Sequence, residues 1–360
     1  MKSKAAIALG PHRPLVVDEV EVDGPREGEV LVEVRSAGLC HTDLLFLDGS
    51  RTWNDYPMVL GHEAVGVALE CGPGVRSVSP GDHVIPVSIP ECGVCPACRS
   101  TRTNLCDEFF KPQRRLTTSW RGEPIHSLFG LGTFSQYVVV PEIQTTVIRR
   151  DAPMGQMSCM GCAGMTGLGS ALFTARVEAG STVAVFGLGG IGLNVVDGAR
   201  MAGASKIIGI DVNPEKEGIA RAVGLTHFIQ STATGKDLVA AICALATGGV
   251  DFSFECVGQP DLLRQAIECT RKGWGATVSV GGINKDIEIR PRAFLEGRTL
   301  TGSMLGNVKS RTQLPTLVDW YVEGRLKLDN LISHRIGIDD VNQGFELVKL
   351  GQARRVVIDF

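Results

Sequence analysis

The chain has 360 residues, 36 Lys and Arg against 39 Asp and Glu, a formal net charge of −3 and 44% hydrophobic residues. That length predicts two domains, and the near balance of charge gives no electrostatic basis for a nucleic-acid partner or an anionic membrane surface. No apolar run approaches the roughly 20 residues of a membrane span, the run before Gly10 and Pro11 is too short for a signal-peptide core, and eleven cysteines then point to reduced thiols, metal ligation and a cytoplasmic location.

Residues 1–150 read as β-rich. A-A-I-A-L, V-L-V-E-V, A-V-G-V-A-L and H-V-I-P-V are short β-branched runs, separated by turn-formers such as Gly24-Pro25 and Pro80-Gly81. From Ser181 the pattern alternates. Strands are predicted at Thr182–Phe186, Ile207–Ile210, His227–Ile229, Asp251–Glu255, Ala276–Val280 and Thr299–Ser303, with helices such as Ile191–Met201 and Lys236–Thr247 between them. Such alternation predicts an α/β lobe, a parallel sheet covered on both faces. After Ser303 the pattern is mixed and ends in the apolar R-V-V-I-D-F. A β-rich lobe beside an α/β lobe predicts a cleft between them, a common place for ligands.

Cys92, Cys95, Cys98 and Cys106 follow the spacing C-x2-C-x2-C-x7-C. A folded-back loop with that spacing presents four thiolates to one tetrahedral ion, the pattern of a closed structural Zn2+ site. Unpaired or disulfide-bonded loop cysteines are the bland alternative, and four at this density weigh against it.

The segment S-T-V-A-V-F-G-L-G-G-I-G-L-N-V-V runs a strand into Gly187, Gly189, Gly190 and Gly192 and then a helix. In that context Gly187 permits the tight turn, Gly189 lets the backbone approach a pyrophosphate, and Gly192 lets the helix pack on the strand. Asp211 ends the next strand, where a carboxylate accepts bonds from the adenosine ribose and repels a 2′-phosphate, so NAD is expected over NADP. Asp211 can also cap the turn at Asn213 and Pro214, and the two roles are compatible. Lys216 is close enough in sequence to assist at the ribose.

Cys40 in G-L-C-H-T-D, His62 in G-H-E, and Cys159 and Cys162 in S-C-M-G-C-A-G-M-T-G are unremarkable singly, since buried Cys and His are common. Together with P-G-D-H-V, the four-cysteine lobe, G-L-G-G-I-G and R-R-V-V-I-D-F, they fall in the order of the zinc-dependent medium-chain alcohol dehydrogenases, which the chain resembles from end to end, most closely in the class I and class III branch. The resemblance implies a β-rich GroES-like catalytic domain (residues 1–163 and 306–360) and a Rossmann-type doubly wound NAD domain (residues 164–305). It implies two Zn2+ per chain, the catalytic one held by Cys40, His62 and Cys162, with an open position for an alcohol. Cys162 is chosen over Cys159 because the family ligand lies in G-C-x-x-x-T-G. Such a metal lowers the pKa of bound water from about 15.7 to about 7, and a bound alcohol benefits similarly. By the same resemblance Glu63 stands behind the metal and Asp43 orients the ligand histidine. Thr42 relays the alcohol proton, and Leu45 stands where well-known animal enzymes carry a second relay histidine. His41 and Arg355 approach the pyrophosphate, while Thr166 and the backbone at Val280 line the nicotinamide.

Class III enzymes oxidise S-(hydroxymethyl)glutathione. Where they are expected to carry two acids and an arginine, this chain has Arg51, Trp53 and Phe110, and Ser88 replaces a large aromatic beside the substrate. Leu45, Trp53, Ser88 and Phe110 are therefore expected to line a wide apolar pocket for a bulky primary alcohol or its aldehyde, aryl or allylic. The alternative is a thiol-dependent formaldehyde dehydrogenase with a carrier other than glutathione. A non-catalytic nucleotide-binding relative is disfavoured, because Cys40, Thr42, His62 and Cys162 are all present. The segment G-R-T-L-T-G-S-M-L-G resembles the edge strand through which relatives pair, so a homodimer is expected.

Overall fold

The computed structural model describes every residue except 52–54, 112–114, 232–235, 284, 328 and 330. The chain forms two compact units. One comprises Met1–Cys162, Lys309–Gly324 and Leu328–Phe360, and the other Ala163–Val308 and Arg325–Lys327. Among the described residues no helix is long and apolar enough to cross a membrane.

In the first unit Lys2–Ala8, Val16–Val22, Thr118–Trp120, Glu123–Ser127 and Met58–Val59 close into a small barrel. Alternation drives the first strand: Ser3 and Ala5 are buried while Lys2 and Lys4 face water. A seven-stranded sheet carries the rest, and its central strand is Glu29–Gly38. That strand pairs with Ala64–Cys71, with Tyr137–Pro141 and, antiparallel, with Val356–Asp359. Val30, Val32 and Val34 are fully withdrawn from solvent and pack with Val84, Val138, Val140, Phe134 and Ile358. Each such side chain contributes about 1.5–3 kcal/mol on burial. This packing fixes the end of the central strand, and the chain passes from Gly38 directly into the site.

The second unit is a six-stranded parallel sheet in the order His227–Gln230, Lys206–Asp211, Thr182–Phe186, Phe252–Glu255, Ala276–Ser279, Thr299–Gly302. Thr182–Phe186 reads as a near-continuous apolar run because both its faces are covered, and Val183 to Phe186 are buried. The helices Gly190–Met201, Lys216–Val223, Lys236–Leu245 and Pro260–Glu268 alternate with the strands. Gly192 is required by contact: a Cβ there would lie 1.8 Å from the Gly187 carbonyl oxygen. The strand order reverses between Thr182–Phe186 and Phe252–Glu255, the doubly wound arrangement expected from the alternation.

Two features depart from the periodicity reading. The predicted strands begin or end one residue beyond the observed ladders at Asp251, Val280 and Ser303. Widened π-type turns, unread in the sequence, occupy Met160–Gly164 and Ser170–Thr174, and turns of this kind recur at functional sites.

Candidate active site

Cys40, His62, Glu63 and Cys162 each direct one donor atom into a common space, all within 4.8 Å of one another. Cys40 follows the central strand and caps the helix His41–Leu47. Asp43, in the first turn of that helix and 0% exposed, accepts from the Cys40 and Gly61 amides at 3.2 and 3.1 Å. Its Oδ1 also lies 3.3 Å from His62 Nδ1. With Nδ1–H directed at Asp43, Nε2 is left free as a ligand atom. Cys162 reaches the group from the widened turn Met160–Gly164. Cys159 does not join it: its thiol is buried and meets the Ser158 hydroxyl at 3.7 Å, and burial pushes it up to about 11.

The protons of the site are shared. The hydrogen bond from Cys162 and the His62 charge hold the Cys40 thiol well below the ordinary thiol range, although burial opposes this. Burial works against charge on His62, yet Asp43 and Cys40 raise its pKa well above the usual imidazole value. Behind them Glu63 is 0% exposed and accepts from Arg355 Nη2 at 2.9 Å, while Arg355 Nη1 donates to the Leu39 carbonyl at 2.9 Å. Burial pushes the Glu63 carboxyl up to about 8, opposed by that guanidinium. Glu63 Oε2 has no hydrogen-bond partner among the described residues. Two thiols, an imidazole and an orphaned buried carboxylate oxygen are a donor set that suits Zn2+. Phe129 was missed in the sequence. It packs edge-on against His62, ring centroids 5.5 Å apart, with a left-handed backbone at φ 54°.

Cys92, Cys95, Cys98 and Cys106 form the second group. The Cys92–Cys98 and Cys95–Cys106 sulfur separations are both 3.9 Å. Metal–sulfur bonds of about 2.3 Å imply tetrahedral corners about 3.8 Å apart, so the geometry fits a four-thiolate zinc site. The Cys95 and Cys98 amides donate to Cys92 Sγ and Cys95 Sγ, both at 3.4 Å. Backbone donors, first that of Asp107, hold Cys95 down at about 6, and burial pushes Cys106 up to about 12.

In the second unit Gly187 follows the strand Thr182–Phe186 at φ 89°, and a Cβ on Gly189 would meet nothing within 4 Å, leaving the loop open for a phosphate. Asp211 Oδ2 accepts from the Leu188 amide at 2.8 Å and from Lys216 Nζ at 3.0 Å, and Oδ1 accepts from the Asn213 amide at 3.0 Å. Asp211 therefore braces the glycine turn and caps its own turn at once. Thr166 is buried, and Val280 donates its amide to the Glu255 carbonyl at 2.9 Å. These features fit a dinucleotide.

Residues 26–150 match the model of the alcohol dehydrogenase GroES-like domain, and residues 190–323 that of the zinc-binding dehydrogenases. The chain is 41% identical over 374 residues to S-(hydroxymethyl)glutathione dehydrogenase of Paracoccus denitrificans, covering 99% of this chain and 100% of that one. It belongs to the zinc-binding alcohol dehydrogenase family. Among solved structures, an alcohol dehydrogenase zinc-binding domain protein from Burkholderia ambifaria is similar at TM-score 0.92 and 30% identity, covering 100% of this chain and 99% of that one. Benzyl alcohol dehydrogenase from Acinetobacter calcoaceticus is similar at TM-score 0.90 and 28% identity, with the same coverage.

This alcohol dehydrogenase is an NAD-dependent enzyme with two zinc ions, one structural and one catalytic. Cys40, His62 and Cys162 would hold the catalytic zinc, which would supply Lewis-acid polarisation of an alcohol oxygen, and NAD would supply the hydride acceptor. Ser88, Phe109, Leu128 and Phe129 line a cavity of about 760 Å3 within the first unit. Phe110 is not in that lining: the residue is 70% exposed and its ring packs edge-on against Phe109. His41 is exposed at the start of its helix, with Thr42 and Leu45 half-buried behind it. Trp53 lies outside the described residues.

Proposed function

We propose that this alcohol dehydrogenase oxidises the S-hydroxymethyl adduct of a thiol with NAD, the carrier being other than glutathione. The observation that carries the reading is the 41% identity, over essentially both whole chains, to a relative named for S-(hydroxymethyl)glutathione. It outweighs the sequence-based expectation of a bulky aryl or allylic alcohol. Arg51 and Phe110, standing where a glutathione-specific site is expected to be acidic and basic, argue for a different carrier. A carrier tail left with unsatisfied polar groups would lose discrimination of the size seen when a buried hydrogen bond is unmade.

In this reading Asp43 keeps His62 in the tautomer that ligates, Glu63 and Arg355 hold a charge-balanced rear wall, and Thr42 accepts the alcohol proton. Leu45 adds no second proton acceptor, so the proton leaves by water. The thiol adduct, HO–CH2–S–R, loses its hydroxyl proton and one hydride and becomes the formyl thioester.

A second reading, a bulky primary alcohol, is supported by the likeness to benzyl alcohol dehydrogenase and by the cavity beside Ser88. Steady-state rates with formaldehyde plus a panel of thiols, set against aryl and allylic alcohols without thiol, separate the two. Appreciable formaldehyde oxidation only with a thiol supports the first. Equal or higher kcat/KM on benzyl alcohol, with no response to any thiol, supports the second.

We also infer a homodimer paired through Thr299–Gly302, an edge strand of the six-stranded sheet whose residues are exposed or half-exposed. Such an edge is a liability unless covered. Light scattering checks it: a species at the chain mass of 38.4 kDa would refute pairing.

A further inference from the structure

We propose that Glu255 is a positioning residue of the NAD site, its carboxylate fixing the backbone of Val257, Gly258 and Gln259 as one wall of the dinucleotide crevice. The inference rests on NAD use, not on the choice of alcohol. In doubly wound sheets ligands bind beyond the strand ends where the strand order reverses. Here that point lies between Thr182–Phe186 and Phe252–Glu255, and Phe186 is in register with Glu255. Gly187 follows one strand end and Cys256 the other, and the Cys256 amide donates to the Phe186 carbonyl at 2.9 Å.

Glu255 is 0% exposed, an unusual place for a carboxyl group. Its Oε1 accepts from three successive amides, Val257 at 2.9 Å, Gly258 at 2.8 Å and Gln259 at 3.3 Å. Its own carbonyl accepts from the Val280 and Gly281 amides, both at 2.9 Å. One residue therefore ties the loop before the helix Pro260–Glu268 to the next strand end. The loop needs such a tie, because Gly258 at φ 90° is intrinsically permissive. What the tie holds in place is Val257, an apolar side chain 48% exposed at the crevice and set against the glycine turn. A Cβ on Gly187 would lie 2.5 Å from Val257 Cγ2. Oε2 has no partner among the described residues, and burial pushes the carboxyl up against the lowering effect of the amides. A neutral side chain of the same length should therefore serve. Without the tie, binding must order the loop, and that cost falls on the dinucleotide alone.

The test titrates NADH fluorescence on zinc-loaded full-length enzyme, with alcohol KM and zinc content measured alongside. Glu255→Asp draws the carboxylate back by one methylene and is expected to weaken NADH binding about tenfold, with alcohol KM and zinc content unchanged. Glu255→Gln keeps an oxygen for the three amides and is expected to bind NADH within about twofold of the parent. Val257→Ala alters a half-exposed residue and is expected to weaken NADH binding about threefold to fivefold while folding normally. A merely structural Glu255 would lower stability or yield without separating NADH affinity from alcohol KM. Parent-like NADH binding in Glu255→Asp, or a Glu255→Gln protein as weak as Glu255→Asp, overturns the proposal. If Glu255→Asp does not fold, Val257→Ala decides, and parent-like NADH binding there overturns it too.

Discussion

Asp43 Oδ1 lies 3.3 Å from His62 Nδ1 while the same carboxylate holds the Cys40 and Gly61 amides. One buried acid thus aligns the ligand histidine and the backbone of the ligand cysteine. Asp43→Asn keeps an acceptor oxygen but loses the charge that orients the imidazole. Partners of this kind are worth about 10–100-fold in metal affinity or activity. Chelator competition and kcat/KM should both show that loss, and parent-like values in both would remove Asp43 from the site.

The Glu63–Arg355 pair is withdrawn from water on both sides. Removing Arg355 leaves the buried Glu63 carboxyl without its donor, a loss of about 1–3 kcal/mol for an unmade buried hydrogen bond. Arg355→Ala should show that loss in urea unfolding at fixed zinc. The double variant Glu63→Gln with Arg355→Met should recover much of it. Additive losses in the double variant would mean that the two residues are not energetically coupled.

Metal analysis should find close to two zinc ions per chain. Cys162→Ser is expected to lose one zinc and turnover while remaining folded, and Cys159→Ser to keep both. Cys95→Ser should impair folding, since a four-thiolate site lends its binding free energy to the fold. A folded, dead Cys159→Ser that has lost one zinc, beside an active Cys162→Ser that keeps both, would reverse the ligand assignment. Zinc uptake by the apoprotein should also release protons. His62 and Cys162 both hold theirs more tightly than usual, so uptake weakens as pH falls.

Asp211 should make the enzyme prefer NAD over NADP by about 100-fold or more in kcat/KM, since a carboxylate facing a 2′-phosphate repels it. Asp211→Ser removes that charge and the partner of Lys216, leaving a free cation where the phosphate would sit. The gap should narrow mainly through improved NADP use. Comparable wild-type use of both cofactors would contradict this assignment.

The parts legible in the sequence are those whose physics is local. The four-cysteine spacing and the glycine turn are short enough to dictate their own geometry, and the alternation after Ser181 dictates the parallel sheet. Cys40, His62 and Cys162 gain meaning only from family order, because their convergence depends on sheet register. Glu255 was invisible because F-S-F-E-C reads as an ordinary strand end, and only the fold reveals that its carboxyl group is buried under three amides. Phe129 was missed because its contact with His62 depends on a left-handed backbone that no propensity assigns to phenylalanine. Phe110, expected from its position in the sequence to be a pocket wall, is exposed and packs edge-on against Phe109, a pairing that no sequence pattern shows.

Glu63 and the guanidinium that balances it are 292 positions apart in the chain. At synthesis rates of about 5–20 residues per second, Cys40 and His62 leave the ribosome roughly 15–60 s before Arg355 does. During that interval the entire nucleotide-binding unit is made, yet the rear of the metal pocket has no countercharge and the central strand lacks its neighbour Val356–Asp359. The nascent catalytic unit therefore lacks one wall of its metal pocket and one neighbour of its central strand until its last residues emerge.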